Sequence, residues 1–95
     1  MAVGLSIRFA DGTAEQYEAV HAKAGVESDP PNGMIFHAAG PIKDGWGILD
    51  FWESRAQFDT FLEERIAPAI AALGDAAMPN PPEIKEFPIH NMMKS

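Results

Sequence analysis

Apolar side chains alternate with polar or small ones at the start of the chain, where Val3, Leu5, Ile7 and Phe9 are interleaved with Gly4, Ser6 and Arg8. A period of two is that of a strand with one face buried, so a first strand is expected from Val3 to Phe9. Asp11-Gly12 turns the chain. Thr13 and Gln16 then read as a capping box that opens a helix to about Ala24, with Gly25 ending it. Tyr17, Val20, His21 and Ala24 share one face of that helix.

The stretch Asp29-Pro30-Pro31-Asn32-Gly33 cannot be helical and reads as a loop. Two apolar runs follow, Met34 to about Gly40 and Trp46 to Trp52. Lys43-Asp44-Gly45 lies between them, which predicts an antiparallel hairpin with Asp44-Gly45 in the turn. Ser54 and Gln57 repeat the capping box. Phe58, Phe61, Leu62, Ile66, Ala69, Ile70 and Leu73 then form a helical stripe that ends at Gly74. Pro68 lies inside that long helix and should kink it. After a loop from Pro79 to Pro82, a last strand is expected from Glu83 to about His90, and Asn91 to Ser95 is a tail. The order βαββαβ is that of a ferredoxin-like α+β domain with a four-stranded antiparallel sheet.

Two helices cover one face of such a sheet, and the other face should be polar in a chain that works alone. Here it is not. Met34, Phe36 and Ala38 are expected to point one way and Ile35 and Ala39 the other, while Trp46, Ile48 and Trp52 oppose Leu49 and Phe51. Both faces call for burial, which predicts a homodimer built on the uncovered face. A charge at Phe51 or Ile7 should then give unfolded or aggregated protein rather than a stable monomer.

With 95 residues, the chain suits one domain, 1–95. No cysteine is present, which removes disulfides, thiolate ligands and a thiol nucleophile. The formal charge of −7 and the scattered placement of the seven Lys and Arg argue against nucleic acid as a partner. The segment Met1 to Ala10 is too short and strand-like for a signal peptide, and no apolar run approaches the roughly 20 residues that span a bilayer. A cytoplasmic protein without a membrane partner is the expectation. Neither a P-loop nor a dinucleotide fingerprint occurs, so no nucleotide cofactor is expected.

Against this background a few side chains stand out. His37 lies in an apolar strand, and an imidazole is suited to moving protons near neutral pH. Asp50, between Leu49 and Phe51, is expensive to bury unpaired and requires a partner. Two partners are open: His37 across the hairpin, which would orient the imidazole, or Arg8 in a structural ion pair, the plainer of the two. Tyr17 and His21, four apart on the first helix, either overhang a pocket or form a packed pair at the core margin. Phe36, Trp46, Trp52 and Phe51 are either plain core or the wall of a cavity for an aromatic molecule. His90 at the end of the last strand reads as solvated, and Glu63-Glu64 as a solvated helix face. The three histidines lack metal-ligand spacing, so no metal site is expected.

The segments TAEQYEAVHAKAG, GMIFHAAGP, GWGILDFWESRAQFDTFLEERIAPAI and PPEIKEFPIHN together resemble the dimeric α+β barrel superfamily, near the antibiotic biosynthesis monooxygenase-like domains. The resemblance spans nearly the whole chain. It implies a homodimeric barrel of two sheets, with a pocket between each sheet and its own helices. Activities in that superfamily include cofactor-free oxygenation of aromatic polyketides, haem degradation and muconolactone-type isomerisation. The haem-degrading members carry an asparagine on the first strand, where this chain has Gly4, Ser6 and Arg8. On this resemblance the expected function is a cofactor-independent enzyme acting on a small apolar or aromatic metabolite, of monooxygenase, isomerase or cyclase type. His37 would be its base and Asp50 the partner of that base. His21, Tyr17, Phe36, Trp46, Trp52 and Arg8 would contact substrate. The alternative is a dimer that binds a hydrophobic ligand or a protein without catalysis.

Overall fold

In the computed structural model, which describes residues 2–94, the initial alternation forms β1 (Val3–Ala10), with Val3, Leu5, Ile7 and Phe9 buried under the helices. Met1 and Ser95, the ends of the expected domain and of its tail, lie outside the described residues. Helix α1 (Ala14–Ala24) opens on a complete capping box: the Thr13 hydroxyl accepts from the Gln16 amide, and the Gln16 side chain accepts from the Thr13 amide. It stops at Gly25, whose left-handed φ of 67° lets its N–H reach the Ala22 carbonyl.

Strands β2 (Met34–Ile42) and β3 (Gly45–Trp52) form the expected hairpin, but the turn uses its residues differently. Asp44 takes the left-handed conformation, at φ 65°, and Gly45 already belongs to β3. Glycine is needed there because a Cβ would run into the Phe9 carbonyl oxygen of β1.

The long helix is three pieces rather than one kinked rod. Helix α2 (Arg55–Phe61) is followed by a π-helical turn at Leu62–Ile66 and by α3 (Ala67–Leu73). Pro68 cannot donate to the carbonyl four residues back, and the turn before it widens until the Ala67 N–H reaches the Leu62 carbonyl. The Ser54 box is half-formed: Ser54 accepts from the Gln57 amide, but the Gln57 side chain turns to the Ser54 hydroxyl instead of the Ser54 N–H. Strand β4 (Glu83–Pro88) ends on a residue without a donor, so His90 lies beyond it and in solvent.

The sheet order is β2-β3-β1-β4, with every neighbouring pair antiparallel. Each helix links two parallel strands that leave one slot between them, and β3 and β1 fill those slots. Register then sorts the side chains. Leu5, Ile7 and Phe9 share the helix-covered face with Asp50, Ile48 and Trp46, their partners on β3. A bulge between Met34 and Phe36 puts Met34 opposite Trp52 on that face and sends Phe36 to the other, so Met34 and Phe36 do not point together as the bare alternation predicts. Ile7 likewise belongs to the covered core and is no part of the uncovered face.

Arg55 ties α2 to β4 through Asp59 and Glu86, which together push its pKa further up, and Arg65 caps the end of α1 by donating to the Ala24 carbonyl. The opposite face of the sheet is open. Phe36 and Phe87 are each 49 % exposed there and Leu49 is 42 % exposed, with Phe51 half-buried against Phe36.

Candidate active site

Asp50 is the one polar or charged residue that the fold buries among the described residues, at 3 % exposure. Its carboxylate accepts two hydrogen bonds. The Trp52 indole N–H donates to Oδ2 over 3.1 Å, and the His37 Nδ1–H to Oδ1 over 2.6 Å. The cost of burying the carboxylate is offset by these two donors. Cross-strand register brings them together: His37 stands opposite Asp50 on the covered face, because the bulge at Met34/Phe36 restores the phase of β2.

Arg8, the plainer partner on sequence grounds, does not reach Asp50. It lies on the open face, exposed, while Leu5, opposite Asp50, faces the helices. A single step along the pleat separates the two faces.

A carboxylate on His37 Nδ1 leaves Nε2 as the acceptor. The Tyr17 hydroxyl occupies that position at 2.5 Å and donates to it. His21, one turn further along α1, places Nδ1 at 3.3 Å from the same phenol oxygen and Nε2 at 3.6 Å from Glu27 Oε1. The result is a connected chain of side chains, Trp52, Asp50, His37, Tyr17, His21 and Glu27, running from the centre of the sheet to the surface. Burial pushes the Tyr17 pKa up to about 12, with the negative charges of Glu18, Asp50 and Glu27 adding to the effect. The phenol therefore stays protonated at neutral pH and remains a donor to His37.

This chain borders a cavity of about 70 Å³ between helices and sheet. Tyr17, His21, His37 and Asp50 line it together with apolar groups such as Ile7, Val20, Met34, Phe61, Leu62 and Ile66. Leu62 and Ile66 come from the π-helical turn, and Met78 and Pro82 close the cavity from the loop before β4. Nothing in the helical periodicity alone marked these wall residues as cavity rather than core, and Glu27 passed unnoticed as an ordinary loop residue. No three His, Cys, Asp or Glu side chains among the described residues are placed to hold one metal ion.

The other expected contacts fall elsewhere. Phe36 and Arg8 are on the open face, away from the cavity. Trp52 is fully buried between Phe58 and Phe61, and its part in the site is the bond to Asp50. Trp46 packs against the Tyr17 ring at 5.4 Å without lining the cavity, and its Nε1 has no acceptor among the described residues.

The fold has close counterparts among solved structures. NE2512 of Nitrosomonas europaea, a protein of unknown function, superposes with a TM-score of 0.70 at 18 % identity, over 99 % of this chain and 94 % of its own. SnoaB of Streptomyces nogalater, a cofactor-independent oxygenase solved in this case as a point mutant, gives 0.65 at 19 % identity, over 99 % and 98 %. A Chloroflexus aurantiacus protein proposed to be an antibiotic biosynthesis monooxygenase gives 0.61 at 20 % identity, over 98 % of each chain. No family model matches the sequence, and neither does any curated protein. At these identities the likeness is one of fold: the chain has the ferredoxin-like α+β architecture of the antibiotic biosynthesis monooxygenase-like structures.

Proposed function

We propose, from the shared fold and from the hydrogen-bonded chain at the cavity, that the protein is a cofactor-independent enzyme that removes a proton from a small, neutral, apolar or aromatic substrate. The observation that carries this reading is the Tyr17–His37–Asp50 sequence of contacts at 2.5 and 2.6 Å, facing an otherwise apolar cavity.

Asp50 fixes the imidazole with Nδ1 protonated and stabilises the imidazolium that forms when Nε2 gains a proton. Because Tyr17 covers Nε2, the phenol oxygen is the atom that meets substrate. It takes the substrate proton as its own proton passes to His37, so no free phenolate has to persist in the cavity. The substrate anion then takes the proton back at another atom, which is isomerisation, attacks a second group of the same molecule, which is cyclisation, or gives an electron to dioxygen and combines with the superoxide so formed, which is oxygenation. SnoaB, named as a cofactor-independent oxygenase, supports the last of these.

The size of the cavity bounds the substrate. Its 70 Å³ is below the roughly 150 Å³ of an engineered cavity that takes up benzene, so dioxygen or a few waters fit and an aromatic ring enters only if the wall yields. No Lys or Arg lines the cavity, which favours a neutral substrate over a carboxylate or phosphate.

Deuterium incorporation from heavy water into simple phenols and diketones, with oxygen uptake followed in parallel, tests the reading. Replacing Tyr17→Phe or His37→Gln should slow exchange by about a hundredfold or more. Compounds that bind the wild-type protein and show neither exchange nor oxygen uptake would assign the cavity to ligand storage instead.

The same proposal includes a homodimer. The open face exposes Phe36, Leu49 and Phe87, and none of the described residues covers them.

A further inference from the structure

We infer that His21 and Glu27 conduct protons between the cavity and solvent, so that the Tyr17–His37–Asp50 chain can be reset between proton transfers. This deepens the acid/base reading above and rests on it.

The placement of His21 carries the inference. A separate hollow of about 260 Å³ opens on the surface beside the end of α1, lined by Glu18, His21, Gly25, Glu27 and Ser28 among others. His21 lines both this hollow and the inner cavity, and among the described titratable residues it alone does so. Its two nitrogens face opposite ways, Nδ1 to the Tyr17 phenol at 3.3 Å and Nε2 to Glu27 at 3.6 Å. Side-chain exposure is 4 % at Asp50, 23 % at His37 and 18 % at His21, and then 89 % at Glu27. Exposure rises sharply at Glu27, the outer end of the chain.

Local sequence builds this outlet. A separation of four residues puts Tyr17 and His21 in one column of α1. The left-handed Gly25 then turns the chain back, with the Asp29 amide and the Ser28 hydroxyl both donating to the Gly25 carbonyl, and Glu27 comes to rest against the imidazole. The titratable groups around His21 are Tyr17, His37 and Asp50 on the inner side and Glu18 and Glu27 on the outer.

An imidazole can accept a proton on one nitrogen while releasing one from the other. In the outward direction His37 Nε2–H returns its proton to the Tyr17 oxygen, the phenol proton passes to His21 Nδ1, and the proton on His21 Nε2 leaves to Glu27 or to water beside it. Asp50 stays a carboxylate throughout, and the net change is one proton moved to solvent. The competing route is direct, from His37 past the edge strand β2, since the His37 side chain is itself 23 % exposed.

Exchange of the Tyr17 hydroxyl proton with water, followed by NMR in the labelled full chain, separates the two routes without any substrate. Replacing His21→Phe should slow this exchange by about tenfold or more, Glu27→Gln should slow it less, and free imidazole should restore the rate in His21→Phe. Wild-type rates in both variants would overturn the inference and leave the β2 edge as the route. If His21→Phe does not fold, Glu27→Gln decides alone, since that side chain stands in solvent: slowed exchange supports the relay and an unchanged rate overturns it. Exchange that depends on His21 in a protein without turnover would sink the acid/base reading and leave the relay standing.

Discussion

The phenol of Tyr17 can be followed in isolation, because it is the only tyrosine in the chain. Its ultraviolet phenolate band should appear near pH 12 in the native protein and near pH 10 in denaturant. Between those values the unfolded chain has lost a proton that the folded one still holds, so stability should fall as pH rises from 10 to 12. Asp50→Asn removes one of the charges that raise this pKa and should bring the native band to lower pH; a band that stays put would leave burial, with Glu18 and Glu27, to set it. His37→Leu takes a donor from a buried carboxylate and should cost about 3 kcal/mol in chemical denaturation, whereas His90→Leu in solvent should cost almost nothing. At this scale the members of the buried pair were legible in the sequence. A histidine and an aspartate in apolar strands each stand out by type. Their partners were not legible: Arg8 is the plainer partner for Asp50 on sequence grounds, and only register shows that His37 is the one that shares its face.

Elements were read well where a local rule fixes them and less well where a neighbour intervenes. The Thr13 box and the Gly25 stop depend on atoms a few residues apart, and both formed as expected. The Asp44-Gly45 turn depends on β1 as well, because Gly45 yields space to the Phe9 carbonyl. Gly45→Ala should therefore destabilise by about 1–3 kcal/mol, while Gly40→Ala, with nothing near its added methyl, should stay within about 0.5 kcal/mol. Equal midpoints for the two in urea would refute the close approach. The proline rule located the irregularity in the long helix at Pro68, but a widened turn rather than a kinked rod is how the chain absorbs it, and that turn supplies Leu62 and Ile66 to the cavity wall.

For the whole molecule the uncovered sheet face governs behaviour. Sedimentation should report twice the 10.3 kDa chain mass. Phe51→Asp on that face should give aggregated or unfolded protein rather than a stable monomer, and a folded, soluble monomer from this change would remove the case for pairing through the sheet. Ile7 cannot serve as the second test position, because it belongs to the covered core.

Period-two and helical patterns, caps and breakers act over a few residues, and from them the sequence by itself determined the βαββαβ order, the apolar character of both sheet faces and the presence of a histidine and an aspartate among apolar neighbours. Tertiary structure decided which of those side chains meet. A one-residue bulge in β2 sets the face of His37, the pairing of β3 with both β1 and β2 seats Asp50 beneath α1, and only then do Tyr17 and His21 fall in line with them. The bond from Tyr17 to His37 joins residues 20 positions apart, and no local pattern encodes the register that closes that distance.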